Sequence, residues 1–250
     1  MVYAKLEALS GLLRWPSDSI ITWVVAFIVY DLLYYWFHRT SHEINFLWAS
    51  HVVHHQSEDY NLSTALRQTS SSIFGWLFYI PSFLIGIPAE VFFVCGALNL
   101  VYQFWVHTQL VGRLGWLELL LVTPSHHRVH HGQNPEYIDK NHGGVFIFWD
   151  KMFGTFQQEI DNLPVIYGVR SSVNSFNPLW LNFKTWHSLV MDAWLTNSWW
   201  DKIRIWFMPT GWRPADCLLV DKTDRVATST EFVAPHKYNP KSSALIKGYL

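Results

Sequence analysis

Nine of the thirteen histidines in this 250-residue chain fall in two windows, residues 38–55 and 126–131. Imidazole is the commonest metal-binding side chain, and in its neutral form it suits Zn, Cu, Fe or Ni. Spacing narrows the reading. His38 and His42 stand four apart, His51, His54 and His55 form H-x2-H-H, and His127, His130 and His131 repeat that pattern. Residues three and four apart share a helix face, so each set is expected to project from one helix. His107 follows a long apolar run and is expected to return to the same place. Eight or nine imidazoles exceed what one ion accepts, so two metal ions are expected. Without metal, so many neighbouring rings would leave buried donors unpaired. His126 and His142 lie beside the clusters but outside the repeated spacing, and are candidates for extra ligands. His187 and His236 read as bystanders.

Other metal chemistries fit poorly. His42-Glu43 opens a zincin-like H-E-x-x-H, but Phe46 stands where its second histidine belongs. Di-iron carboxylate bundles need Glu-x-x-His pairs, and Glu118 has no histidine three residues on. A non-enzymatic metal or haem protein is the alternative from another class, but axial haem ligation calls for isolated histidines rather than triplets. Gly143–Gly144 is read as a turn and not a phosphate loop. Cys95 and Cys217 form no metal motif or disulfide framework. Three acids could orient the rings or handle protons. Asp31 lies seven residues before His38 and eleven before His42, about 20° from each on a helical wheel. Asp59 stands four after His55, and Glu43 adjoins His42.

The elements that must carry these groups look membranous. Apolar residues make up 50% of the chain and charged ones only 15%, against roughly 25% in soluble proteins. A net charge of −1 gives no reason to expect nucleic acid. Ile20–Phe37 is apolar apart from Asp31 and at 1.5 Å per residue covers about 27 Å, near the thickness of a hydrocarbon core. Between Gln68 and Gly112 the one charged residue is Glu90, and Gly86 and Pro88 divide the run into arms of about Ser70–Ile87 and Ala89–Trp105. A hairpin that crosses and returns brings every histidine cluster to one side. Arg39, Arg67, Arg113 and Arg128 gather there, against Lys5 and Arg14 opposite, so that side is expected to be cytoplasmic. The fold expected is therefore all-α: an integral membrane helical protein with a cytoplasmic-side, histidine-rich, di-metal core. It divides into an interfacial segment (1–19), a membrane-embedded unit (20–157), and a Trp-rich amphipathic region with a loosely ordered tail (158–250). Within the last, helices are expected around Leu181–Leu195 and Asp201–Met208.

Taken together, H-x3-H followed by two H-x2-H-H motifs resembles the fatty acid hydroxylase/sterol desaturase superfamily, over about Asp31 to Phe156. Within it, Tyr34–Gln68 and Thr123–Phe156 are most similar to the alkylglycerol monooxygenase branch. The resemblance implies a membrane-bound non-haem di-iron enzyme that uses O2 to hydroxylate a lipid, cleaving the ether bond of alkylglycerols. It implies two iron ions held by His38, His42, His51, His54, His55, His107, His127, His130 and His131. It also implies an external electron donor, with tetrahydrobiopterin as the reductant. Sterol or fatty acyl hydroxylation or desaturation is the alternative within the superfamily. His142 stands where that branch has Tyr, Gln109 stands where an acid is expected, and relatives carry further apolar spans before this N-terminus.

Overall fold

The computed structural model describes residues 14–67, 74–217 and 236–240. The expected interfacial segment before residue 14, the start of the first hairpin arm and most of the tail lie outside these. The described residues are helical, with isolated bridges at Ile44–Pro209 and Leu121–Phe146 in place of any sheet.

Helix α1 (Ile20–Glu43) runs for 24 residues, about 36 Å. Among the described residues it is the one helix long and apolar enough to cross a membrane. Its buried face is its polar face: Thr22, Asp31, Tyr35, His38, Ser41 and His42 point inward with Ala26. Ile20, Ile21, Val24 and Ile28 are exposed. A soluble helix carries its apolar stripe the other way round. At Ile44 the backbone becomes extended, and α2 (Asn45–His55) starts at once. The Asn45 side chain holds this corner by donating to the Ile205 and Trp212 carbonyls and accepting from Gly211 N–H.

The apolar hairpin is present, but its first arm is not the continuous helix expected. It is a 3-10 turn (Gly75–Tyr79) running into the five-residue α4 (Ile80–Leu84), after a one-turn α3 (Leu62–Ala65). Pro81 explains the change of pitch, because its ring supplies no N–H and is tolerated only in a first helical turn. Gly86, at a φ of 84°, and Pro88 make the reversal. The second arm, α5 (Ala89–Trp105), runs 17 residues alongside α1. The tip of the hairpin meets the start of α1, where the Trp15 indole N–H donates to the Ile85 carbonyl at 2.9 Å. The tip and the histidines therefore sit at opposite ends of α1. Between the arms and α1, Ala26, Phe83, Ile87, Val91, Phe92 and Cys95 form an apolar core, with Tyr30 stacked on Tyr79 at 4.9 Å.

Beyond α5 come a 3-10 turn (Gly115–Leu119), α6 (Pro124–His130) and α7 (Phe148–Phe153). Helices α8 (Pro178–Leu195) and α9 (Trp199–Arg204) follow, close to the two amphipathic segments expected. Helix α8 packs on α2, burying Ala49, Leu189 and Ile205. Its other face leaves Leu179, Trp180, Phe183, Val190, Met191 and Trp194 exposed.

Gly144 is a close approach between the loop before α7 and α1. A Cβ there would stand 2.8 Å from both Asp31 Oδ1 and the Tyr34 ring, and 3.0 Å from Asn99 Oδ1. Gly144→Ala should cost about 1–3 kcal/mol through this overpacking. Gly112→Ala, with nothing within 4 Å of the added carbon, should be neutral. Thermal unfolding of the two variants in detergent measures the difference.

Candidate metal centre

The clustered histidines converge as two sets. His38, His42, His51, His55 and His130 offer ring nitrogens that all lie within 4.8 Å of one another, and so do His54, His107, His127 and His131. In the first set the Nε2 atoms of His38 and His55 each stand 3.1 Å from His51 Nε2. In the second, Nε2 separations are 3.2 Å for His54–His107, 2.9 Å for His107–His127 and 3.2 Å for His127–His131. With metal–nitrogen bonds of about 2.1 Å, ligands at right angles stand about 3.0 Å apart. The sets adjoin where the His55 and His131 rings stack at 4.4 Å.

The two sets do not follow the triplets of the sequence. In α2, His51 and His55 belong to the first set and His54 to the second. At α6 the assignment is exchanged: His127 and His131 belong to the second set and His130 to the first. Positions i and i+4 point nearly the same way, whereas i+3 sits at a distinctly different angle. Each H-x2-H-H therefore straddles both sets.

Backbone oxygens, more than acids, aim the rings. His38 Nδ1 lies 2.8 Å from the His142 carbonyl, His130 Nδ1 3.0 Å from that of Lys140, and His107 Nδ1 2.8 Å from that of Gln103. His42 Nδ1 is 3.5 Å from Asp139 Oδ1. The loop 139–142 thus orients three of the five rings in the first set. It is itself held firmly. Asn141 adopts a left-handed φ of 56° and donates to the His126 and Gln157 carbonyls. Buried Asp150 accepts from the N–H groups of His142 and Gly143.

The protonation state suits a metal. Burial pushes His54 down to about 3, helped by neighbouring His107, and burial pushes His107 down to about 4. His55, His127, His130 and His131 are driven well below the ordinary value by burial and by one another. Neutral imidazole is the metal-binding form. Buried His42 Nε2 and His130 Nε2 have no hydrogen-bond partner, which is costly unless an ion takes the lone pair. Two nitrogen-rich ions fit the residues present.

The three acids behave differently from expectation. Asp31 touches no imidazole, because seven residues of helix separate it from His38 by about 10.5 Å along the axis. Its carboxylate accepts from Asn99 at 2.7 Å, from Val145 and Phe146 N–H at 2.8 and 3.0 Å, and from the Trp149 indole at 3.0 Å. It pins the segment that follows His142 and so acts on His38 at one remove. Glu43 pairs with Arg39 at 2.9 Å, and Asp59 pairs with Lys237 on the surface. Neither contacts a ring. His126 lies outside both sets: its Nδ1 accepts from Thr123 N–H at 3.4 Å as part of a capping box. His142 is buried beside the first set.

Sequence reasoning missed Asn99, Gln103, Asn141, Asp150 and the Arg128–Glu159 pair. Arg128 grips Glu159 through two bonds of 2.8 and 2.6 Å, and donates to the carbonyls of Thr108 and Val111. It thereby ties the turn after His107 to α6. Polar residues on a nominally apolar helix, Asn99 and Gln103, were the available signal.

The sequence model of the fatty acid hydroxylase family matches residues 23–155. Alkylglycerol monooxygenase of Homo sapiens is 46% identical over 235 residues, covering 94% of this chain and 52% of that protein. Its Danio rerio counterpart is 46% identical over 239 residues, covering 95% and 52%. Ornithine lipid hydroxylase of Rhizobium tropici is 30% identical over 145 residues, covering 57% and 43%. The chain spans about half the length of the alkylglycerol monooxygenases it matches. No solved structure matches.

Metal analysis of detergent-purified protein should give close to two ions per chain. His55→Ala and His130→Ala should each lose at least one of them. His187→Ala and His236→Ala, at exposed positions, should retain both. Equal losses from His187→Ala and His130→Ala would erase the distinction between ligand and bystander.

Proposed function

The chain belongs to the fatty acid hydroxylase family, and from that premise we propose that it is a membrane-bound di-iron oxygenase that hydroxylates a lipid with O2. We further propose that the carbon attacked is the one next to the ether oxygen of an alkylglycerol. The observation that carries this reading is the pair of adjoining imidazole sets, buried at one end of a helix whose outer face is apolar. Nitrogen ligands without carboxylates suit iron, and they suit zinc or copper as well. The family membership favours iron.

Iron bound at the two sets supplies the activation of O2. One oxygen atom enters a C–H bond and the other leaves as water, so two electrons and two protons must be delivered. A hydroxylated carbon beside an ether oxygen then collapses to an aldehyde and a free glycerol hydroxyl. An external donor, proposed to be reduced tetrahydrobiopterin, provides the electrons. The protein's part is to hold the neutral imidazoles of both sets, to aim them through the loop 139–142, and to keep the surroundings dry. Tyr60 helps close the second set: its ring lies 5.0 Å from His131, and its hydroxyl donates to the Val106 carbonyl.

The membrane reading rests on the outward apolar faces of α1 and α5, where Phe93, Val94, Leu98, Leu100, Val101 and Phe104 are exposed on α5. It rests also on the exposed Trp194, Trp199 and Trp200 of α8 and α9, since Trp favours the bilayer–water interface. The histidine end is read as cytoplasmic from the arginines gathered there.

Purified, iron-loaded protein given an alkylglycerol, O2 and reduced pterin should release a fatty aldehyde and glycerol. A product heavier by one oxygen and otherwise intact would instead make it a plain lipid hydroxylase, as the ornithine lipid hydroxylase is by name. Turnover of neither ether lipids, sterols nor acyl lipids would defeat the oxygenase reading. Topology is checked by labelling single cysteines in membranes. A probe at Pro88 should react from the side opposite to a probe at Arg113, and the Arg113 position from the cytoplasm.

A further inference from the structure

A cavity of about 310 Å³ lies beside the second set, and part of its wall comes from residues that closely follow that set's ligands. Glu58 and Tyr60 come after His54 on the chain leaving α2, Gln109 stands two residues after His107, and Gln133 two residues after His131. The segment 165–169 makes much of the rest and is zipped to the end of α6. Gln133 donates its N–H to the Ile166 carbonyl and its Nε2 to the Tyr167 carbonyl, both at 2.8 Å, and Ile166 N–H donates to Asn134 Oδ1 at 2.9 Å. Among the described residues, no histidine of either set lines the cavity. Tyr60 is the partition. Its ring stacks nearly parallel on Tyr167 at 4.7 Å, and stands 5.0 Å from His131 and 5.8 Å from His107.

The wall presents acceptors. Gln109 spends its Nε2 on the Tyr60 carbonyl at 2.8 Å and Gln133 spends its own on Tyr167, so each amide has its oxygen left to offer a guest. Gln133 Oε1 is buried and accepts no hydrogen bond, a cost that a donor on the guest would remove. Glu58 adds a carboxylate. A guest matched to this wall is small and carries N–H or O–H donors. Position decides what it does there. A carbon under attack must touch the oxidant, and Tyr60 stands in the way; electrons need no contact and can cross an aromatic ring. Resting on the di-metal oxygenase reading above, we propose that this cavity docks the external electron donor, a flat, reduced nitrogen heterocycle of the pterin class whose N–H groups bond to Gln133 and Glu58, and that its electrons enter the second set through Tyr60 and His131. The donor gives up two N–H bonds and its ring double bonds rearrange. The two electrons pass Tyr60 one at a time and take two ions from Fe(III) to Fe(II). The two protons leave to water at the mouth, where Asp59 and Lys237 are exposed.

The probe is 7,8-dihydrobiopterin, which keeps the pyrimidine N–H donors and lets binding be measured without turnover. It is added to the full chain carrying its ions in detergent, with fluorescence quenching to read affinity and hydrogen–deuterium exchange to read place. Dihydrobiopterin should slow exchange in residues 164–169, and a short-chain alkylglycerol should neither slow it nor displace the pterin. Gln133→Met, which keeps the length of the side chain and loses the amide, should bind the pterin about tenfold more weakly, the worth of one hydrogen bond. Val169→Trp, which fills the cavity and removes no polar group, should weaken it at least as far. In turnover both variants should raise the KM for reduced pterin and leave that for the alkylglycerol unchanged. Protection of 164–169 by the alkylglycerol, or displacement of the pterin by it, would make the cavity a lipid-headgroup site and overturn the proposal whether or not either variant folds. Pterin bound to the unaltered protein without protection there would overturn it as well, and so would an unchanged affinity in either variant that retains both ions. Turnover of ether lipid with another donor, in a protein that never binds the pterin, would remove the pterin and this site together and leave the oxygenase reading standing.

Discussion

Uncharged imidazoles packed with their nitrogens about 3 Å apart are the arrangement that the rest of this structure serves. Rings that close cannot be protonated together, and they cannot all find hydrogen-bond partners in one another. Burial withdraws water as the remaining partner. Metal ions taking the lone pairs would relieve this cost, and their binding would then be part of the folding free energy rather than an addition to it. The surrounding polar groups follow from this. Backbone carbonyls of Gln103, Lys140 and His142 face the outer nitrogens of three rings, which directs the inner nitrogens at the ions.

The protein that encloses this core is built inside out. Along α1 the buried positions from Asp31 onward are polar or hydroxyl-bearing, while the outward ones of its first half are mostly aliphatic or aromatic. Asp31 illustrates the logic. A charge within an apolar helix is expensive, and its four donors, three of them in the loop and helix that follow His142, offset part of that cost. The same carboxylate thus makes a buried charge tolerable and ties α1, α5 and the loop before α7 into one piece.

Residue type and spacing suffice to find the clustered histidines and to count the ions they imply, because side chains this polar are rarely crowded together unless they share a metal. The partition between ions is not legible. It depends on the rotation of α2 and α6 about their axes, and the repeated H-x2-H-H motif is the same whichever way it is read. The orienting oxygens are invisible for a different reason: every residue has a carbonyl, so Lys140 and His142 carry no mark in the sequence that theirs are used. Asp31 stands out in the sequence but is expected against the wrong neighbour. A helical wheel shows angle and discards height, and height decides what a short side chain can touch. The hairpin is legible at Gly86 and Pro88, while Pro81, lying within an apolar run, is easily overlooked as the residue that shortens its first arm.

The reciprocal split of the two triplets has a mechanical meaning. Soluble carboxylate-bridged centres set the separation of their metals with groups that can shift between one ion and two. Here the two sets contain no carboxylate among the described residues. Each of α2 and the α6 turn contributes to both sets, with the rings of different sets separated by one residue of helix, a rise of about 1.5 Å and a turn of about 100°. The backbone pitch therefore acts as a ruler, laid twice and in opposite sense, between the two sets. A helix can neither slide nor rotate to tighten one set without loosening the other. Ions held in the two sets would thus keep a separation fixed by the frame of the protein.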